Sequence, residues 1–262
     1  MNLFDDENEI MEFFHLSGEA DVLLLNNSFS THKIFTHISE SKHWKNWICS
    51  SGKDEPPPDY YSDKYKLMME VMRVDDHAYK NKKGKLVNPV NIKESELQAE
   101  IRKHANITDT TKVIVNAVTG LPTREDHNYD FYVNNFTRVV YKHKENVDLY
   151  RKNHSGYKLI FFIFDESSAY VKVDTKELAK KGVEQGEPFV GFPHNFFLDR
   201  AFIDVIKECG ADYVVWYTPF KHIDTHGVEP QLPKIVVIDV KKLSNPDYIE
   251  IYDSDYIMSS EE

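Results

Sequence analysis

Short apolar runs alternate with amphipathic stretches along the chain, a pattern typical of strands separated by helices. The run Lys158–Glu166 (KLIFFIFDE) is apolar at both odd and even positions, so it predicts a central strand that is covered on both faces. Further strands are predicted at Ala20–Asn26, Tyr65–Val74, Lys112–Val118, Asp212–Pro219 and Lys234–Val240.

Apolar residues spaced three to four apart predict a helix at Lys33–Ile48, and charged residues at i,i+4 spacing predict a second at Lys93–His104. Amphipathic spacing predicts a third and a fourth helix, at His127–Arg151 and Phe196–Gly210. The third is the longest, and one inward-facing stripe runs along it. The stripe consists of Tyr132, Phe136, Val139, Val140, His143, Val147 and Tyr150.

Two shorter segments complete the pattern. Ala169–Val173 is predicted to pair with the central strand as a hairpin through Ser167 and Ser168, and residues 253–262 are predicted to be a peripheral, frayed tail. The whole chain, residues 1–262, therefore predicts a single α/β domain, with a central mixed β-sheet flanked by helices on both faces.

Composition narrows the class of protein. The formal net charge of -11 argues against a surface that is basic all over, and the acidic N-terminus does not resemble a signal peptide. No apolar run approaches the ~18 residues that span a bilayer, so a soluble cytoplasmic protein without a membrane partner is expected. Cys49 and Cys209 form no CxxC pair, which excludes a cysteine-based zinc site.

Several motifs are absent from the sequence. Neither GxGxxG nor GxxxxGK[ST] occurs, so no nucleotide cofactor of the Rossmann or P-loop type is expected. No GxSxG elbow or HExxH pair occurs either.

The stretch PPPDYYSDKYKLMMEV places Asp59 after a proline run and Glu70 eleven residues later among apolar residues. A buried carboxylate needs a partner, because leaving it unpaired costs several kcal/mol. Carboxylates are also the ligands that Mg²⁺ prefers, so Asp59 and Glu70 are candidate metal ligands.

With its Pro-Asp, spacer and acid, this stretch resembles the PD-(D/E)XK nuclease superfamily over about residues 33–118. The resemblance implies a metal-dependent phosphodiesterase acting on nucleic acid, with Mg or Mn bound by Asp59 and Glu70. It also makes Glu40 a candidate additional acid. The motif's lysine is replaced by Met72, so Lys66 becomes the candidate catalytic lysine, because strand parity places it on the face of Glu70.

Basic residues around this stretch are candidates for contacting nucleic acid. Lys64 shares the parity of Glu70, Arg73 follows Met72, and His127 opens the longest helix, where an anion is favoured. The blocks Lys80–Lys85 and Arg138–Lys144 could supply a local basic groove.

Other groupings compete with the acid pair. Asp165 and Glu166 end the central strand, where ligands of open α/β sheets bind, and this predicts an alternative site for hydrolysis of a small substrate. Weaker candidate groups are Asp75, Asp76 and His77, the pair His222 and His226, and Asp239 with Lys241. The other alternative to a nuclease is a non-catalytic binding protein on a degenerate nuclease-like fold. Trp216, which lies within a predicted strand, is expected to pack in the core.

Overall fold

A computed structural model describes residues 6–16, 21–25, 27–50, 58–76, 79–80, 86–87, 127–181, 190–221, 223, 232–243 and 248–260. Within these residues the strands are β1 (Val22–Leu24), β2 (Ile48–Cys49), β3 (Tyr60–Ser62), β4 (Leu67–Val74), β5 (Tyr79–Lys80), β6 (Leu86–Val87), β7 (Lys158–Asp165), β8 (Tyr170–Val173), β9 (Gly191–Pro193), β10 (Tyr213–Tyr217), β11 (Ile235–Asp239) and β12 (Ile257–Ser259).

The main sheet has seven strands in the order β1-β11-β10-β7-β4-β3-β2. Strand β7 is parallel to both neighbours, β4 and β10. Strand β3 is antiparallel to both of its neighbours, β2 and β4, and β10 is antiparallel to β11, whereas β1 is parallel to β11. The predicted mixed sheet is therefore confirmed, with β7 at its centre.

Helices cover both faces of this sheet. They are α1 (Glu7–Leu16), α2 (Phe29–Ser39), α3 (Ser41–Trp44), α4 (Tyr129–Lys144), α5 (Val147–Asn153), α6 (Lys176–Lys181) and α7 (Arg200–Glu208). Alternate residues of β7 point to opposite faces: Phe161 packs in the core under α4, α5 and α7, and Phe162 packs in the core under α1 and α2. The predicted helices on both faces are confirmed, and Trp216 is fully buried in the first of these cores.

Three predicted helices are interrupted. The longest divides into α4 and α5 at Glu145 and Asn146. The predicted helix Lys33–Ile48 divides at Glu40, whose backbone is extended, and ends before Ile48, which pairs with β3 instead. The fourth begins as a 3-10 turn, Phe196–Leu198, and continues as α7 after the cap formed by Asp199.

Two local predictions are wrong. Strand β8 pairs with β9 and β12 in a separate three-stranded sheet and not with β7. Ser167 and Ser168 are held by Asp165 and Asp76, so the chain leaves the main sheet instead of turning back. The tail is not peripheral throughout, because the apolar Ile257 and Met258 of β12 are buried against β8.

The predicted helix Lys93–His104 and strand Lys112–Val118 lie outside the described residues. Among the helices that are described, none is both long and apolar enough to cross a membrane.

Candidate functional site

The structure brings Asp59 and Glu70 together on adjacent strands. Asp59 directly precedes β3, and Glu70 lies in the middle of β4 on the face covered by α4 and α5. The backbone amide of Asp59 donates to Oε2 of Glu70 at 3.3 Å. Oδ2 of Asp59 accepts a hydrogen bond from the amide of Val71 at 2.8 Å, so both carboxylates are fixed at the junction of the two strands.

Two side chains from the covering helices complete the site. Nδ1 of His143, in α4, lies 2.9 Å from Oε1 of Glu70. The hydroxyl of Tyr150, in α5, donates to the same oxygen at 2.8 Å. The break between α4 and α5 lies between these two residues, so each helix contributes one side chain to Glu70.

The site carries little positive charge. Burial first, and then the charge of Glu70, raise the pKa of the Asp59 carboxyl to about 8, against the opposing hydrogen bond from Val71. Glu7 raises the same pKa further. Across the residues that the structure describes, no lysine or arginine side chain contacts Asp59 or Glu70.

This donor set fits a divalent cation that binds oxygen. Mg²⁺ keeps several waters and is commonly bound by one or two carboxylates, so two acids suffice for a site. A group of three or more His, Cys, Asp or Glu side chains arranged for a metal ion does not occur within the described ranges. Asp59 and Glu70 would be the two protein ligands of such an ion, and water would supply the others.

The predicted lysines do not join the acids. Strand β4 begins at Leu67, and Lys66 precedes it in a turn with φ of 55°, so the parity argument does not apply to Lys66 or Lys64. Nζ of Lys66 lies 3.2 Å from the hydroxyl of Tyr157 instead. Nζ of Lys64 lies over the ring of Tyr65.

Met72 points to the same face as Glu70, where a motif lysine would stand, but it is buried in the core under α4. Glu40 lies apart from the acid pair, at the junction of α2 and α3, where it pairs with Lys42 at 2.6 Å. Arg73 forms a bidentate ion pair with Glu166, with Nη2 2.7 Å from Oε1 and 2.6 Å from Oε2.

Asp165 is fully buried at the end of β7. Its Oδ2 accepts hydrogen bonds from Tyr132 at 2.5 Å and from Trp216 at 2.8 Å, and Nζ of Lys221 lies 3.6 Å away. Its Oδ1 accepts a hydrogen bond from the hydroxyl of Ser167 at 2.6 Å. Asp165 thus takes part in a closed polar network, and Glu166 faces Arg73 instead of Asp165.

The remaining candidate groups are dispersed. Asp76 accepts hydrogen bonds from Ser168 and Tyr170, and Nδ1 of His127 lies 3.2 Å from its Oδ1. Lys241 contacts Asp212 and not Asp239. His77, His222, His226 and most of the block Lys80–Lys85 lie outside the described residues.

Sequence reasoning did not select His143 and Tyr150 as site residues. Both belong to the predicted inward stripe of the long helix, where they interrupt a run of apolar residues. A polar side chain on a core-facing stripe needs a buried hydrogen-bond partner. That requirement is the feature of the sequence that indicates a polar site beneath this helix.

Comparison of the chain with models of known protein families, with curated proteins and with solved structures finds no match.

Proposed function

We propose that this chain is a metal-dependent phosphodiesterase that acts on nucleic acid, with Asp59 and Glu70 binding Mg²⁺ or Mn²⁺. The observation that carries the proposal is the pair of adjacent acids: the raised pKa of Asp59 keeps it protonated beside Glu70 at neutral pH, because no lysine or arginine of the described structure offsets a second negative charge. A bound divalent cation would remove this electrostatic penalty, would neutralise charge on a scissile phosphate and would lower the pKa of a bound water.

His143 takes the role that the missing lysine leaves open. Because Glu70 faces Nδ1 of His143, the favoured neutral tautomer donates its Nδ1 proton to Glu70 and leaves a lone pair on Nε2. The side chain of His143 is 19% exposed, and we assign to it the proton transfer to or from the attacking water and the leaving oxygen. Tyr150 donates to the same carboxylate and fixes its orientation.

Calorimetric titration of Mn²⁺ into the wild type and Glu70→Gln tests the metal site. Glutamine keeps an oxygen acceptor for Tyr150 but removes the charge, so Mn²⁺ binding should be lost while the fold is kept. Glu145→Gln, an exposed position at the end of α4, is the matched control and should bind Mn²⁺ like the wild type.

Cleavage assays on plasmid and single-stranded DNA test the reaction. We expect Mn²⁺-dependent cleavage by the wild type and by Glu145→Gln, and none by Glu70→Gln. His143→Gln should keep Mn²⁺ binding but lose about 100-fold or more in rate, the usual contribution of a general acid or base. Unchanged Mn²⁺ binding by Glu70→Gln would exclude Glu70 as a ligand.

A second candidate function is non-catalytic binding of a partner by the same fold. Burial of Met72 at the position of the motif lysine favours it. Wild-type protein that binds nucleic acid but shows no cleavage at any Mn²⁺ concentration would support this alternative.

A further inference from the structure

At one end of the main sheet, three exposed cationic side chains surround the buried Asp212. The strands β4, β7 and β10 begin at this end of the sheet, and β11 ends there. Asp212 directly precedes β10, and its side chain is only 3% exposed. Its Oδ2 accepts a hydrogen bond from the amide of Leu159 at 3.0 Å.

Three cationic side chains share Asp212. Nζ of Lys158 and Nζ of Lys241 lie 3.2 Å and 3.1 Å from Oδ1, and Nη2 of Arg151 lies 3.3 Å from Oδ2. Burial would raise the pKa of Asp212, but Leu159, the two lysines and Arg151 lower it on balance, so the carboxyl is ionised. The group therefore carries two positive charges in excess, on side chains that are 40% to 70% exposed.

An aromatic row leads from these cations towards the acid pair. Lys66 precedes Leu67, which is paired with Lys158 in the sheet, and its Nζ lies 4.8 Å from the centre of the Tyr157 ring. His154 lies 5.3 Å from Tyr157 and 4.4 Å from Tyr61, measured between ring centres. Tyr61 lies in β3, two residues after Asp59.

We propose that this surface, comprising Lys66, Arg151, Lys158, Lys241 and the row Tyr157–His154–Tyr61, binds single-stranded nucleic acid. The cations hold the phosphates, and the partly exposed rings stack with bases, a combination typical of single-strand binding. The aromatic row favours nucleic acid over an acidic peptide, which has no planar bases to stack. The proposal rests on the proposed function only in that the bound strand would run towards Asp59 and Glu70.

Fluorescence anisotropy of a labelled single-stranded oligonucleotide, measured in EDTA, tests the surface without any metal chemistry. Lys158→Gln/Lys241→Gln should weaken binding at least about tenfold and should lower the slope of log affinity against log salt by about 1.4, since each phosphate contact to a single strand contributes about 0.7. Lys66→Gln, which does not contact Asp212, should also weaken binding, and thermal unfolding of each variant checks its fold.

The matched control is Lys180→Gln/Lys234→Gln. Lys180 is exposed on α6. Lys234 is exposed directly before β11, at the opposite end of the sheet from Asp212. This control should bind like the wild type. Equal losses in both double variants, no loss in either, or equal competition by polyglutamate would overturn the proposal.

The outcome is separable from that of the proposed function. Loss of binding in the lysine variants, together with a wild type that never cleaves DNA, would support the surface and overturn the phosphodiesterase. Cleavage that survives in folded lysine variants with unchanged affinity would support the enzyme and overturn the surface.

Discussion

Nδ1 of His143 lies 2.9 Å from Oε1 of Glu70, although the two residues are 73 positions apart in the sequence. The contact joins α4 to β4, and the hydroxyl of Tyr150 donates to the same oxygen. Glu70 therefore joins both α4 and α5 to the sheet.

Glu70→Ala should lower the free energy of unfolding by about 2–5 kcal/mol, because it leaves the buried Tyr150 hydroxyl and Nδ1 of His143 without their acceptor. Glu70→Gln should cost about 1–2 kcal/mol, because its amide oxygen still accepts from Tyr150. Urea unfolding measures both values. Equal losses in the two variants would show that the acceptor oxygen does not matter.

Asp59 should make the protein less stable as pH rises. Its folded pKa of about 8 lies above the ordinary value of 3.8, so between these values the folded state holds a proton that the unfolded chain has released. The free energy of unfolding then falls by at most about 1.4 kcal/mol for each unit by which the pH rises. The stability that Asp59 contributes is fully present only below the unfolded pKa, and it is lost as the pH rises through the folded pKa.

Asp59→Asn should remove this dependence while keeping an oxygen acceptor for Val71. The variant should match the wild type near about pH 4 and exceed its stability near about pH 8 when both are unfolded with urea in the absence of metal. Parallel stability curves for the two proteins would contradict the raised pKa.

His37 should act in the opposite sense. It is buried, both of its ring nitrogens lack a hydrogen-bond partner within the described structure, and its ring stacks on Tyr65 at 3.9 Å. Burial first, and then the nearby His43, lower its pKa to about 4. Between that value and 6.5 the unfolded chain binds the extra proton, so the stability associated with His37 is lost as pH falls.

His37→Phe keeps the stacked ring and removes both buried nitrogens. We expect a gain of about 1–2 kcal/mol at neutral pH and a larger gain near about pH 5, measured by urea unfolding. His32→Phe, on an exposed position of the same helix, is the control and should change stability little at either pH. An NMR titration that finds an ordinary pKa for His37 would contradict the expectation.

Asp165→Asn should destabilise the fold without affecting Mn²⁺ binding. The substitution removes the carboxylate that faces the buried Lys221, and breaking a buried charge pair costs about 3–5 kcal/mol. Asp174→Asn, at an exposed position after β8, should be close to neutral. Mn²⁺ affinity that falls in folded Asp165→Asn would indicate a metal site at the end of β7 instead of at Asp59 and Glu70.

The sequence predicts the main-sheet strands that are continuous apolar runs, as in β7, and the alternation of faces follows directly from strand geometry. It does not predict the short strands β2 and β3, which lie in a predicted helix and a polar segment. It also identifies Glu70, because a carboxylate within an apolar strand is conspicuous. The partners of Glu70 are not encoded locally, since they depend on how α4 and α5 rest on β4 across 73 and 80 residues of chain.

The incorrect predictions have local causes. Strand parity assigns Lys66 to the face of Glu70 only if Lys66 belongs to the strand. Lys66 itself has a left-handed backbone conformation in the turn before β4, so the alternation of faces does not extend to it. Strand β12 is three residues long, too short for its alternation to distinguish a buried strand from a tail.

The contact between Asp76 and His127 has a consequence for how this protein can evolve. Asp76 follows β4, and His127 precedes α4, so the 3.2 Å contact brings the two ends of residues 77–126 together. The pairing of the main sheet therefore sets no limit on the number of residues between them, and doubling the length of a loop raises its closure cost by only about 0.6 kcal/mol. New sequence can enter between Asp76 and His127, close to one end of the sheet, without a change to any strand pairing of the main sheet.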